Sequence, residues 1–430
     1  MKYFEPSVVI VDDKKEEIEG LIDHYHTQGI GCKYFNADLN DGDSYPDKPM
    51  SDVMLLFLDL YYSDAPLENG YDPELSASWV RSIIHPGAFY ILILWTKDPA
   101  QAKLVTNKLD ELNRHPFQTF IEGKNTYAID SPEKYNYEEL FKSIDAKIAE
   151  TPEIEEILIW KNTIKKASNV VLGGLISTDT EEFSNKLKKI TVCHGGKIIS
   201  GTDDFSKKRA SLFAALNNVL VSNAPQYNFE EEISVHNQTH LYDLSQIDSP
   251  VIDNQLNSWF HFNLTNNLNK LTCPGIIAKN NSTFLKNIYS IKNDSFVHDY
   301  ISPQTEQGVL IEDVVLNIIR PCDYAQNKYG KNLKLLGGIA VIHPKRKDGD
   351  KKDIKLKQKH DSIILLDHLY FNHVDNDVAL IFDLRYSFSL PERIFLSKFE
   401  NIKLLNKELL SEIQVTYSSY CSRLGFTKVF

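Results

Sequence analysis

Two short apolar runs that stop on carboxylates constrain this chain more than anything else in it. Val53-Met54-Leu55-Leu56-Phe57-Leu58 runs straight into Asp59, and Val8-Val9-Ile10-Val11 runs into Asp12-Asp13. Runs of this length, bounded by polar residues, predict strands buried on both faces of a parallel sheet. In open α/β sheets ligands bind at the carboxyl ends of the strands, which is where Asp12, Asp13 and Asp59 fall. Carboxylates gathered at one sheet edge offer the oxygen ligands that Mg2+ prefers. Taken singly, each acid reads equally well as a helix N-cap or a loop residue.

The strand and helix signals then alternate through the first third of the chain. Ile18, Leu21, Ile22 and Tyr25 predict a helix over 14–28, which Gly29 and Gly31 stop before a strand at Cys32–Phe35. A polar loop over 38–51 leads to the Asp59 strand. Pro73 opens a helix that runs to Ile84, and Tyr90–Trp95 is the next buried strand, ending in Thr96. A helix over 99–114, a short strand at Phe117–Ile121 followed by Lys124, and a helix at Tyr137–Ala149 complete the series. Five strand–helix alternations imply a parallel sheet with helices on both faces.

In its first third the chain resembles the receiver domain of two-component response regulators. The acid pair Asp12 and Asp13 follows the first strand, Asp59 the third, Thr96 the fourth and Lys124 the fifth. The resemblance implies a flavodoxin-like, five-stranded parallel sheet. It implies Asp59 as phospho-acceptor, with Thr96 and Lys124 contacting the phosphoryl group and Mg2+ held by Asp12, Asp13 and Asp59. It implies a histidine kinase or a small phosphodonor as the source of phosphate. The chain departs from the pattern at Lys97, where a small residue is usual, at Asn125 in place of proline, at Ile121 in place of an aromatic, and in a longer loop after Asp59. These departures keep a second reading open, a degenerate receiver that serves as a protein-interaction module. Receiver-like proteins with unusual outputs resemble components of bacterial conflict or phage-defence loci.

A chain of 430 residues has room for two or three domains. Thr151-Pro152 marks the first boundary, giving a receiver-like domain over 1–150, a helical linker or bundle over 151–225, and a β-rich effector domain over 226–430. Within the linker the expected helices are 153–172, 179–190 and 206–221, with Cys193-His194-Gly195-Gly196 as a turn. Apolar β-forming runs follow at 276–284, 309–321, 333–343, 362–371 and 378–389, and suggest a barrel or a sandwich. A helix over 396–424 closes the chain. The histidines His236, His240 and His261 sit in sequence with little helical pattern and no acid at ligand spacing, which favours solvated or core roles.

Cys322-Asp323, with Gln326 three residues on, is similar to a stretch in uncharacterised bacterial proteins, some with SH3-like barrels. Cys322 beside Asp323 is a candidate nucleophile or ligand for an enzyme site, but no partner histidine can be placed near it, which favours a structural cysteine at a strand end. The basic run 345–359 reads as a solvated hairpin tip. A net charge of −12 and the absence of a helix-turn-helix pattern argue against nucleic acid as a partner. The five cysteines lack C-x-x-C spacing, which excludes a zinc motif and a disulfide framework. With no leader and no bilayer-length apolar stretch, the sequence is expected to be soluble and cytoplasmic.

Overall fold

The computed structural model describes residues 5–62, 71–129, 134–176, 180–224, 233–246, 252–264, 268–280, 310–343 and 361–422. The basic run 345–359 lies outside them. By internal contact the chain divides into two compact units, Met1–Lys161 with Glu232–Asp243, and Asn162–Glu231 with Leu244–Phe430.

The first unit is built on strands β1 (Val8–Asp12), β2 (Cys32–Asn36), β3 (Leu55–Leu58), β4 (Ile91–Thr96) and β5 (Gln118–Gly123). All neighbours are parallel, in the order β2-β1-β3-β4-β5. Every residue of β1 and β4 is buried, as an unbroken apolar run requires when both faces are covered. Alternation then sorts the side chains. Val9, Val11, Leu56, Leu58, Leu92 and Leu94 face one way, against Val80 and Ile83 of α2 (Pro73–Ile83) and Val105 and Leu109 of α3 (Ala102–Glu111). Val8, Ile10, Phe57, Ile91, Ile93 and Trp95 face the other, against Leu21 and Tyr25 of α1 (Glu19–Thr27) and Leu140 and Ile144 of α4 (Tyr137–Ala149). Each such side chain contributes roughly 1.5–3 kcal/mol by leaving water, so the sheet needs no help from the polar groups at its end.

Register fixes that end. Val11 pairs with Leu58, Leu58 with Leu94, and Thr96 with Gly123, so Asp12, Asp59, Thr96 and Lys124 all emerge at one edge. The strand order reverses between β1 and β3, the switch point where open sheets leave a crevice.

The expected helix over 14–28 divides into a 3-10 turn at Lys15–Glu17 and then α1. Helix α5 (Pro152–Gly173) crosses the division between the units, so the helical span 151–225 is shared between them. Helices α6 (Thr180–Gly201) and α7 (Phe205–Asn223) follow in the second unit. The stretch expected as a turn at Cys193–Gly196 lies inside α6. The break is confined to Gly196, whose φ of 69° is open to glycine and strained for other residues. In the first unit, Val235–His240 forms a short helix α8, which the polar sequence between His236 and His240 concealed. Ser234 caps it, accepting a hydrogen bond from Asn237 N.

The second unit holds a six-stranded sheet in the order β11-β6-β7-β8-β10-β9, with antiparallel neighbours. Its strands are β6 (Ile276–Asn280), β7 (Leu310–Asn317), β8 (Asn332–Ile342), β9 (Ile363–Phe371), β10 (Asn376–Pro391) and β11 (Phe399–Leu404). Among the described residues, where a barrel or sandwich was expected, these strands form one sheet with an apolar cluster on each face, one around Val315, Ile339 and Ile381, the other around Leu316, Ala340 and Leu380.

The expected closing helix over 396–424 is interrupted. Helix α11 (Glu392–Lys398) gives way to β11, which pairs with β6, before α12 (Lys407–Cys421) starts at the Asn406 cap. Pairing with β6 outweighed the helical spacing of Leu404, Leu405 and Leu409. At the far edge, α9 (Asn254–His261) bonds to β9. Asn257 Nδ2 donates to His368 O at 2.8 Å, and Ser258 Oγ accepts from Tyr370 N at 2.6 Å. The short helix α10 (Pro321–Ala325) links β7 to β8.

Candidate functional site

The parallel sheet edge carries a buried ionic cluster centred on Lys124. Its ammonium donates to Asp12 Oδ2 at 2.7 Å, Glu17 Oε2 at 2.8 Å and Asp59 Oδ2 at 2.5 Å. Lys124 is 0% exposed, Asp12 and Glu17 each 1% and Asp59 6%. Backbone groups fix the outer oxygens. Asp12 Oδ1 accepts from Lys14 N at 2.9 Å, and Asp59 Oδ1 from Leu60 N at 2.6 Å. Glu17 Oε1 accepts from Lys97 Nζ at 2.5 Å, so two lysines face three carboxyl groups.

Burial dominates the electrostatics. It pushes the Asp12 carboxyl up to about 8, with Asp59 adding to the rise and Lys124 opposing it. Asp13, half-buried, is raised to about 6 by its own burial and by the charge of Asp59. At Glu17 burial also works upward, but Lys124 and Lys97 outweigh it and hold the carboxyl below its usual value. For Lys124 burial works against the ammonium, and Asp12, Asp59 and Glu17 overcome it.

Of the residues singled out in the sequence, Asp12, Asp59 and Lys124 meet. Thr96 is fully buried at the same edge, and its hydroxyl accepts from Asp98 N at 3.3 Å. Asp13 stands outside the group of acids whose oxygens lie within 4.8 Å of one another, which consists of Asp12, Glu17 and Asp59. Glu17 is the member that sequence reasoning missed. Placed inside a helix over 14–28 it looked like an ordinary first-turn acid, and only the 3-10 turn after β1 swings it back to the sheet edge. The density of charge over Asp12-Asp13-Lys14-Lys15-Glu16-Glu17 was the available signal. Lys97, where a small residue is usual in receiver domains, reaches Glu17 of this cluster.

The donor set fits a hard divalent cation, since all three groups are carboxylates with oxygens within reach of one centre. Lys124 competes for that position, because its ammonium already bridges the same three oxygens.

The second unit has a cleft of about 750 Å³ beside the end of β7, lined by Arg320, Asp323, Tyr329, Lys334, Gln414 and Tyr417 among others. Cys322 is exposed, with its thiol 3.9 Å from Asp323 Oδ1, and Asp323 is paired with Arg320 at 2.7 Å. On α8 the His236 and His240 rings lie 4.4 Å apart, with His236 against Glu150 O. Among the described residues, no helix is long and apolar enough to cross a membrane.

No protein-family model, no curated protein and no solved structure matches this chain.

Proposed function

We propose that the first unit is an atypical receiver-like module in which Asp59 accepts a phosphoryl group, with Mg2+ as cofactor, to control a second unit of unspecified activity. The observation that carries this is the convergence of Asp12, Asp59 and Lys124 at the β1/β3 switch point of a parallel sheet ordered 2-1-3-4-5. That order is shared by flavodoxin-like folds. Asp12, Glu17 and Asp59 would hold the ion, with half-buried Asp13 close enough to feel Asp59. Bound there, Mg2+ neutralises the oxygens of the transferring group.

The chain's own groups supply the rest. An Asp59 oxygen forms the bond to phosphorus as the bond from phosphorus to the donor breaks, a nitrogen in a phosphohistidine kinase or an oxygen in a small acyl phosphate. The Leu60 N–H orients the carboxylate through Oδ1. Lys124 moves from carboxylate to phosphoryl oxygen as a point charge. The product adds roughly −1.5 to −2 charge to the pocket. Thr96 would hydrogen-bond the phosphoryl group once it turned from Asp98.

A second reading is favoured by one observation: the three carboxylates already take all three donors of Lys124, and Asp59 has both oxygens engaged. In that reading the cluster is a permanent pin, and the unit is a phospho-silent docking module for another protein, as in a bacterial conflict or phage-defence complex.

Addition of Mg2+ with beryllofluoride or acetyl phosphate separates the two. Phospho-acceptance predicts an adduct on Asp59 by mass spectrometry. It also predicts a change in the emission of Trp95, a buried neighbour of Thr96 whose ring centroid is 5.8 Å from Tyr127's. Both signals are lost in Asp59→Asn. Absence of the adduct in the unaltered chain would favour the pin.

A further inference from the structure

Glu17 touches more than the acid cluster. Its carboxylate takes Lys124 and Lys97 on separate oxygens, and its charge helps to raise the Tyr135 hydroxyl's pKa, after burial. Its backbone carbonyl accepts from the Tyr137 hydroxyl at 2.8 Å. Tyr137 is the first residue of α4, and its ring lies against Gly20 so closely that a Cβ there would sit 2.2 Å from ring carbons. Tyr135, two residues before α4, packs edge-on against Trp95 with ring centroids 5.2 Å apart. The next helix, α5, begins at Pro152, after α4 has ended at Ala149. Meanwhile Ile121, which stands where receiver domains often carry an aromatic, is 46% exposed on β5.

We propose that Glu17 is a positioning residue that couples the Asp59 site to the start of α4, through its contacts with Lys124 on one side and with Tyr135 and Tyr137 on the other. Any change that draws Lys124 toward or away from Asp59 alters its hold on Glu17. The 3-10 turn that carries Glu17 is tied to α4 by the Tyr137 hydroxyl, so the turn and the helix start shift together. The loading arm of the test below rests on Asp59 as acceptor; the coupling itself does not.

The experiment is a two-by-two comparison in the full chain. Backbone hydrogen exchange over residues 134–149 is measured with and without Asp59→Asn, in the native background and in a Tyr135→Phe, Tyr137→Phe background. The tyrosine variants keep the rings and remove only the hydroxyls. Asp59→Asn is expected to move exchange at the start of α4 by about tenfold in the native background, the scale of one hydrogen bond to a charged group. It should move it by less than about twofold in the tyrosine background. Equal changes in both backgrounds, or no change in the native one, would overturn the coupling. If the tyrosine pair fails to fold, Glu17→Gln takes its place under the same criterion.

A loading arm repeats the comparison with Mg2+ and acetyl phosphate, and mass spectrometry scores the phosphoryl adduct. An adduct in both backgrounds with a helix response only in the native one supports coupling and acceptor role alike. No adduct sinks the acceptor role while Asp59→Asn still decides the coupling.

Discussion

Replacing Lys124 with methionine removes the cation that three buried carboxyl groups share and leaves a side chain of similar length. Breaking a buried ion pair from one side costs about 3–5 kcal/mol, because the surviving charges stay out of water without a partner. Here the ammonium bonds to Asp12, Glu17 and Asp59 at 2.5–2.8 Å and is 0% exposed, so the upper part of that range applies near pH 8. For a unit of this size each kcal/mol moves the melting temperature by about 2–4 °C, so about 4–5 kcal/mol gives a fall of roughly 8–20 °C. The assay is urea unfolding followed by tryptophan emission, since Trp79 and Trp95 are both buried in the first unit. The midpoint should fall with little change in slope.

Acidity distinguishes this account from a simple packing defect. Without Lys124, Asp12 keeps its burial and loses the counter-charge that opposes it, so its folded pKa stands still further above the unfolded one. A raised acid contributes stability below its unfolded value, near 4, and loses it as pH rises. The penalty of the substitution should therefore shrink from pH 8 to pH 5, and Asp59→Asn added to it should restore part of the loss. A penalty below about 1 kcal/mol, or one larger at pH 5 than at pH 8, would refute the assignment of Lys124 as the hub.

Asp12 gives a prediction in the unaltered chain. With its carboxyl raised from 3.8 to about 8, its contribution is fully present below about pH 4 and is lost as pH climbs through 8, so Asp12→Asn should flatten the fall in melting temperature between pH 5 and 8.5. Gly20→Ala should cost about 1–3 kcal/mol, from overpacking against the Tyr137 ring, and should raise exchange at the start of α4. Equal melting temperatures for the alanine variant and the native chain would show that the ring moves aside freely.

Much of the first unit was legible because its signals are local. Leu56 and Leu58 point to one face and Phe57 to the other, and both faces are covered, so the run has no polar interruption to hide it. The stop on Asp59 marked the sheet edge directly. What escaped depended on pairing or on a change of helix type. Glu17 joins the cluster because three residues form a 3-10 turn before α1, and spacing alone does not tell that turn from an α-helical one. Likewise Phe399–Leu404 becomes a strand only because β6 offers it a partner 120 residues earlier in the chain. Asp13 was expected to hold the ion with Asp12 and Asp59; the acids whose oxygens gather within 4.8 Å are Asp12, Glu17 and Asp59, as alternation at the end of β1 sends neighbouring side chains to different places.

The hold of α9 on β9 bears on how the second unit avoids assembling with its own kind. An outermost strand exposes a row of amide hydrogens and carbonyls to which any extended peptide can add. Here Ser258 Oγ caps the Tyr370 amide, and the Asn257 side chain covers the His368 carbonyl. Two polar residues on one short helix thus occupy two of the backbone groups of β9 that an added strand could use.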